Sequence, residues 1–266
     1  MPFQFLGTAA AAPSAERDNT SILFYTASEA LLVDCAGSPL HKILRAGVDG
    51  KRLRWVIITH AHVDHIYGLP SLIHSLWLTG RQAPLTLYAL PEPASIIRRF
   101  TDLFPIHGKG AFPLEIVEIE PRPEAPVLEG RTLRVEASPV EHSIPSAAVR
   151  VTFAAKDERG TVVYSSDTSP CQAVVRLARG ADILVHEANY GGKIEEEKRF
   201  GHTTATEAGR IAREAKVGRL ILTHLDPRGP HSPEEMRAEA ARAYGGPVEV
   251  AQEFVPYSPA SGAGKT

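Results

Sequence analysis

Three histidines and an aspartate within six residues constrain this chain more than any other feature of its sequence. His60, His62, Asp64 and His65 come directly after Trp55–Thr59, an apolar run typical of a buried strand. One helix face could not present all four side chains, because residues i and i+2 point apart, whereas a loop could. Buried imidazole and carboxylate groups without partners are costly. We therefore interpret the cluster as a metal site rather than as a polar turn with incidental histidines.

Three more candidate ligands stand at the ends of other predicted strands. They are His142 after Leu133–Ala137, Asp167 after Thr161–Ser165, and His224 after Arg219–Thr223. A lone histidine in such a place is more often structural. Four strand ends together indicate one shared site, because open sheets gather their sites where strands end. Imidazole and carboxylate are the ligands that zinc and similar metals prefer.

The rest of the chain interleaves strands and helices. Further strands are predicted at 21–25, 31–34, 85–89, 114–119 and 148–154, and helices at 41–46, 71–79, 92–104, 173–178, 205–216 and from Ser232. This order predicts an α/β (α+β) chain with two mixed sheets, and we expect a single domain over residues 1–266. The Pro- and Gly-rich stretch 105–130 is predicted to be a loop or lid, and 258–266 a frayed tail.

Composition narrows the class of protein. The formal net charge of −2 excludes a globally basic nucleic-acid binder but leaves room for a local basic patch. Two cysteines cannot form a disulfide framework. No apolar run approaches the ~18–20 residues that a membrane span needs, and no secretory signal is visible. We expect a cytoplasmic protein with no membrane partner.

The pattern His-x-His-x-Asp-His, followed by a distant His, Asp and His, resembles the metallo-β-lactamase superfamily. The resemblance implies a four-layer αββα sandwich with two Zn²⁺ ions at one edge, Mn²⁺ or iron being alternatives. It implies that His60, His62, His142 and Asp167 hold one ion, and that Asp64, His65, Asp167 and His224 hold the other. We interpret Asp34, at the end of a predicted strand, as a residue that orients a ligand, with a plain turn aspartate as an equal alternative.

Further motifs are similar to the ribonuclease Z (ElaC-like) branch. They are Phe5–Thr8, Gly68–Pro70, Pro139–Ser143, Tyr164–Thr168, His186–Ala188, Gly201–Ala205 and Leu222–His224. This resemblance implies a phosphodiesterase or ribonuclease Z-like endonuclease that acts through a metal-bridging hydroxide on RNA or a small phosphodiester. It gives catalytic roles to Asp64, to His202, which would donate a proton to the leaving oxygen or hold the scissile phosphate, and to Glu187, which orients His202. Without the resemblance, a surface residue beside a helix start is the favoured interpretation of His202, and His186 is interpreted as structural.

One departure from that branch concerns substrate size. Only 24 residues separate His142 from Asp167, an interval in which ribonuclease Z carries an arm that grips the tRNA elbow. Two predicted strands and a turn fill the interval, so we expect the arm to be missing and smaller phosphodiesters to be favoured. Two alternatives stay open: hydrolysis of an aryl sulfate, lactone or lactam on the same fold, and a di-iron redox protein. A homodimer is among the assemblies that the sequence permits.

Overall fold

The computed structural model describes residues 2–104, 111–155 and 158–259. The strands are β1 (Phe3–Gly7), β2 (Ser21–Tyr25), β3 (Ala30–Val33), β4 (Leu53–Ile58), β5 (Leu85–Ala89), β6 (Leu114–Glu118), β7 (Ala125–Glu129), β8 (Leu133–Val140), β9 (Ser146–Ala155), β10 (Glu158–Tyr164), β11 (Ile183–Glu187), β12 (Arg219–Thr223), β13 (Val248–Val250) and β14 (Pro256–Tyr257). The helices are α1 (Pro39–Arg45), α2 (Val63–Ile66), α3 (Leu69–Leu78), α4 (Pro91–Leu103), α5 (Gln172–Leu177), α6 (Ala205–Ala215) and α7 (Pro233–Tyr244).

The strands pair into two mixed sheets, as the sequence predicts. The first sheet has the order β14-β1-β2-β3-β4-β5-β6, and the second β13-β12-β11-β10-β9-β8-β7. Strands β3, β4, β5 and β6 pair in parallel with one another in that order, and so do β10, β11, β12 and β13. The other pairs are antiparallel. Because β9 reverses direction between β8 and β10, the carboxyl ends of β8, β10, β11 and β12 all reach the same edge of the second sheet.

Strand alternation explains the layers. In β3, Leu31 and Val33 point into the core between the two sheets, whereas Ala30 and Leu32 pack against the helices outside the first sheet. Helices α1, α3 and α4 contribute to that outer core, and helices α5, α6 and α7 cover the second sheet in the same way. Since the central strands are buried on both faces, they read as continuous apolar runs in the sequence. The predicted four-layer αββα arrangement is confirmed.

Two predicted irregular segments are partly ordered elements. Within 105–130, the strand predicted at 114–119 is β6, and β7 is a further strand that was not predicted. The two form the outer edges of the first and second sheet, respectively, while residues 105–110 lie outside the described residues. At the predicted tail, the Ser258 carbonyl accepts a hydrogen bond of 3.1 Å from the Arg219 guanidinium, and Pro259 is buried. The tail prediction is therefore wrong for these two residues, and 260–266 lie outside the described residues.

The interval between His142 and Asp167 holds one hairpin. Strands β9 and β10 pair antiparallel with Ala155 opposite Glu158, and residues 156–157 between them lie outside the described residues. Both strands belong to the second sheet, so the interval contributes to the sandwich itself. Among the described residues, no helix has the length and apolar character needed to cross a membrane.

The amino end of α7 tests the local sequence signals. The Ser232 side chain accepts from the backbone N–H of Glu235, whose carboxylate in turn accepts from the Ser232 N–H at 2.7 Å. We expect Ser232→Ala to lower the free energy of unfolding by about 1 kcal/mol, because a backbone donor loses its partner. Ser95→Ala, an exposed serine inside α4, is the matched control and should cost nothing. Equal losses in urea denaturation would contradict this role of Ser232.

Candidate metal centre

The candidate ligands converge because the strands that carry them end at a common edge. His60 follows β4, His142 follows β8, Asp167 follows β10 and His224 follows β12. The two sheets are tied at this edge, since the Thr59 carbonyl accepts a hydrogen bond of 3.1 Å from the Ala147 N–H. The side chains thus meet where two rigid sheets join.

Sharp turns lie at the strand ends around these side chains. Asp34, Ser166 and His224 have φ values of 59°, 55° and 55° and lie within two residues of the ends of β3, β10 and β12. A left-handed backbone in a residue other than glycine costs roughly 1–3 kcal/mol and concentrates at functional sites. Three such residues around one cluster indicate that the local geometry serves the site.

The first cluster lies on two kinds of backbone. His62 is extended, with φ −63° and ψ 144°, and caps the one-turn helix α2 that begins at Val63. The loop prediction therefore holds for His60 and His62 and is wrong for Asp64 and His65, which lie on α2. Residues i and i+2 of one helix point in different directions. Because the chain changes from extended to helical between His62 and Asp64, both side chains can face the cluster.

One group of side chains surrounds His62. Its Nδ1 lies 3.1 Å from Nε2 of His60 and 3.1 Å from Nε2 of His142. The Nε2 of His60 is 3.7 Å from Oδ2 of Asp167. Zinc with tetrahedral bonds of about 2.0–2.1 Å separates its ligand atoms by about 3.3 Å, so these spacings suit atoms that share an ion.

A second group shares Asp167 with the first. The Nε2 of His65 lies 3.3 Å from Oδ2 of Asp64 and 3.4 Å from Oδ2 of Asp167. The Nε2 of His224 lies 3.2 Å from the same Asp167 oxygen and 3.6 Å from that of Asp64. The structure thus brings all seven predicted ligands together in two groups, with Asp167 between them.

The outer nitrogens of the histidine rings are fixed by hydrogen bonds. Nδ1 of His65 donates to Oδ2 of Asp34 at 2.8 Å, and Nδ1 of His142 donates to the Gly201 carbonyl at 2.9 Å. Neither acceptor can donate, so the proton lies on Nδ1. In the neutral ring, Nε2 then carries the lone pair that faces the cluster.

Asp34 and Thr59 organise this network beneath the cluster. The Asp34 carboxylate accepts from the Thr59 N–H at 2.9 Å and the Thr59 hydroxyl at 2.9 Å, besides the ring of His65. Asp34 thus lies where it orients the ring of His65, a candidate ligand. The hydroxyl of Thr59 also forms a hydrogen bond of 3.1 Å with Nδ1 of His60. Sequence reasoning assigned no role to Thr59, although a hydroxyl residue directly before the motif was a usable signal.

The Gly201 carbonyl is a second contributor that sequence reasoning missed. It belongs to the segment that carries His202 and reaches His142 from 59 residues further along the chain. No local pattern reveals such a contact, because a backbone carbonyl has no sequence signature. His186, in contrast, is buried outside the cluster, where its Nδ1 donates to the Glu187 carbonyl at 2.7 Å.

Buried polar atoms in the cluster lack partners. Within the described part of the chain, Nε2 of His65, Oδ1 of Asp167 and both ring nitrogens of His224 make no hydrogen bond. Such orphaned atoms are costly unless a cation or water satisfies them. The donor set of imidazoles and carboxylates, buried and facing inward, fits a divalent metal.

The charges of the cluster point the same way. Burial opposes ionisation of Asp167, but His224 and His65 hold the pKa of its carboxyl well below the ordinary value. Burial would also lower the pKa of His65, yet the carboxylates of Asp167 and Asp34 raise it well above the ordinary value. Without a metal, the carboxylates of Asp167 and Asp34 therefore favour the doubly protonated, charged form of the His65 ring.

Glu187 and His202 form a pair beside the cluster. Oε1 of Glu187 accepts from Nδ1 of His202 at 2.9 Å. The buried Glu187 carboxylate is itself held by the N–H groups of Thr168 at 3.0 Å and Asn189 at 3.1 Å. Burial lowers the pKa of His202, but the charge and hydrogen bond of Glu187 more than offset this and raise it to about 9. The ring stacks on His224 with centroids 5.4 Å apart.

A cavity of about 400 Å³ opens over the cluster. Its described lining includes His62, Asp64, Asp167, His202 and His224, together with Ala10, Ala11, Val63, Ser143, Asn189, Phe200, Asp226 and Arg228. The candidate ligands and the Glu187–His202 pair thus face one solvent-accessible space that a small substrate could enter.

Comparison with known proteins agrees with this geometry. A family model described as "Beta-lactamase superfamily domain" matches residues 30–225. Ribonuclease Z of Methanothermobacter thermautotrophicus is 31% identical over 96% of this chain and 95% of its own. Ribonuclease Z of Brevibacillus brevis is 33% identical over 90% of this chain and 91% of its own. The chain belongs to the beta-lactamase superfamily and, within it, to the ribonuclease Z branch; it is a metal-dependent hydrolase.

Solved structures show the same architecture. The metallo-beta-lactamase fold protein YhfI from Bacillus subtilis gives a TM-score of 0.80 at 27% identity, covering 97% of this chain and 99% of that chain. The short form of human tRNase Z gives 0.77 at 24% identity, covering 97% and 99%. At this identity, the similarity to human tRNase Z shows a common fold only.

Metal binding should release protons from this site. His65 must lose its extra proton before Nε2 can bind a cation, so Zn²⁺ uptake by the metal-free protein at pH 7 should release about one proton through this residue. Calorimetric titration in buffers of different ionisation enthalpy measures the number. Asp34→Asn, which removes one charge that raises the pKa of His65, should reduce the release. Equal heats in all buffers would contradict the protonated His65.

Proposed function

We propose that this protein is a dinuclear zinc phosphodiesterase of the ribonuclease Z type. In this proposal, His60, His62, His142 and Asp167 hold one ion, and Asp64, His65, Asp167 and His224 hold the other. The observation that carries the proposal is the position of Oδ2 of Asp167, within 3.2–3.7 Å of ring nitrogens from both groups. A carboxylate so placed suits a ligand shared by two ions.

Zinc is favoured by the donor set. Five imidazoles and two carboxylates form the proposed site, and zinc binds such nitrogen and oxygen ligands readily. When bound, two ions would stabilise charge on the phosphate oxygens and activate water for attack. Elemental analysis of the purified protein separates zinc from Mn²⁺ and from the iron that a redox protein would hold.

The Glu187–His202 pair is proposed to supply the leaving group with a proton. With Nδ1 bound to Glu187 and the pKa raised to about 9, the His202 ring is charged at neutral pH and bears a proton on Nε2. Transfer of that proton to the departing ester oxygen neutralises the alkoxide that forms as the P–O bond breaks. Glu187 holds the ring in place and stabilises its charge.

Two substitutions separate metal binding from proton donation. Asp167→Ala should lose metal, because both groups lose a ligand. His202→Ala should keep its metal content and lose roughly 10²–10⁴ in turnover, the contribution of a general acid. His41→Ala, an exposed histidine on α1, is the control and should change neither. Equal metal loss in Asp167→Ala and His202→Ala would refute the separate roles.

The pH profile then tests the positioning role of Glu187. Since His202 must be protonated to act, turnover should fall as pH rises through the pKa of its ring. Glu187→Gln removes the charge that raises this pKa, so the decrease in turnover at high pH should begin at a lower pH. A merely structural role of Glu187 would lower the rate without moving the profile.

The short interval between His142 and Asp167 is proposed to set substrate size. The alignment with the Methanothermobacter relative spans 301 positions against 266 residues here, so at least 35 positions (301 − 266) of that relative have no counterpart. The hairpin of β9 and β10 lies within the second sheet and offers no projecting arm among the described residues. We infer that remote contacts to a large RNA are reduced.

We expect this protein to cleave small phosphodiesters far better, relative to precursor tRNA, than a ribonuclease Z that carries the arm. Contacts to distant parts of a substrate supply binding energy that lowers the barrier at the reacting phosphate. Without the arm, precursor tRNA loses such contacts, whereas a small phosphodiester never made them. The measurement is kcat/KM for bis(4-nitrophenyl) phosphate and precursor tRNA over a salt series. Efficient precursor-tRNA cleavage with a steep salt slope would contradict the expectation. Preference for an aryl sulfate, a lactone or a lactam would overturn the phosphodiesterase proposal itself.

A further inference from the structure

An exposed aromatic side chain stands at the mouth of the metal cavity. Phe200 is 72% exposed and lines the cavity together with Val63, which is 73% exposed. Val63 lies between His62 and Asp64, and Phe200 lies two residues before His202. The two apolar side chains therefore come from the same segments that present a candidate ligand and the proposed proton donor.

The segment around Phe200 is firmly anchored. Arg199 forms a two-point ion pair with Glu207, at 2.8 and 3.0 Å, and its carbonyl accepts from the Tyr190 hydroxyl at 3.2 Å. The Gly201 carbonyl is bound to His142 on the other side. Phe200 is thus fixed between two anchored neighbours while its own side chain remains in solvent.

Folding gains nothing from this arrangement. Phe200 adopts a φ of 49°, a left-handed conformation that is an outlier for a bulky residue and costs roughly 1–3 kcal/mol. Its ring also forgoes the hydrophobic stabilisation of burial, which is about 1.5–3 kcal/mol for a phenylalanine side chain. A strained and exposed aromatic residue beside a reactive centre indicates a role in binding.

Outside the candidate metal ligands and His202, the described lining of the cavity offers a polyanion little positive charge. Apart from histidines, Arg228 is the sole basic residue among the described cavity-lining residues, and Asp226 binds its guanidinium at 3.0 Å. This compensated charge offers a substrate backbone little attraction. Stacking of a base on an aromatic side chain is worth about 1–3 kcal/mol and does not depend on sequence.

We propose that Phe200 and Val63 form an apolar clamp for a flat ring of the substrate. The ring would stack on Phe200 while the phosphate ester that carries it lies at the candidate metal centre. The inference rests on the proposed phosphodiesterase function and narrows its substrates to nucleoside or aryl phosphodiesters. The clamp is a specificity element, because it recognises a ring beside the reacting phosphate and takes no part in the chemical step.

Calorimetric binding to the zinc-loaded full chain tests the clamp without turnover. The titrants are inorganic phosphate, ribose 5-phosphate, uridine 5′-monophosphate and phenyl phosphate. We expect the two ring-bearing compounds to bind about tenfold more tightly than ribose 5-phosphate, within the range that stacking supplies. Phe200→Ala should remove this advantage and leave inorganic phosphate unchanged, whereas Phe200→Tyr should retain it. Phe104→Ala, at an exposed phenylalanine that does not line the cavity, is the control.

The outcomes distinguish the clamp from the underlying function. If inorganic phosphate and ribose 5-phosphate bind but the ring adds nothing, or if Phe200→Ala has no effect, the clamp is refuted and the phosphodiesterase proposal stands. If no phosphate compound binds to the zinc-loaded protein, the proposed function itself fails. An advantage for phenyl phosphate without one for uridine 5′-monophosphate supports the clamp and identifies an aryl ester as its ligand.

Discussion

The rest of this structure depends on one interaction. Carboxylate oxygens and imidazole nitrogens face one another at close range in a buried pocket. Oδ2 of Asp167 meets ring nitrogens of His60, His65 and His224, while several atoms of the cluster have no hydrogen-bond partner among the described residues. Such a group is stable only with added positive charge, as protons or as metal. Left-handed residues lie at the strand ends around this group, and Asp34 fixes the ring of His65 within it.

The sandwich supplies the stiffness that this geometry needs. Parallel strands with apolar residues on both faces bring their carboxyl ends to one edge, where a change of a few tenths of an ångström would alter the ligand spacing. The same edge carries Glu187 at the end of β11, so the proposed proton donor is oriented by the sheet that positions Asp167 and His224. The candidate metal site and the proposed proton donor thus share one scaffold.

Much of this could be predicted because the signals are local. Polar residues that end apolar runs, such as His60 and His224, reveal both the strand and the candidate site, and the presence of two mixed sheets follows from the alternation of elements. Other features depend on distant partners. Strand β14 has two residues and exists through pairing with β1. The Gly201 carbonyl and the short helix α2 likewise arise from packing that periodicity does not report.

The shared metal site can be examined in a crystal structure of the zinc-loaded protein, with anomalous scattering to locate the metal. We expect two zinc ions about 3.5–4 Å apart, each bonded at about 2.0–2.2 Å to its proposed ligands and both to Asp167. A single ion, or two ions with His142, Asp167 or His224 more than about 3 Å from either, would contradict the shared site.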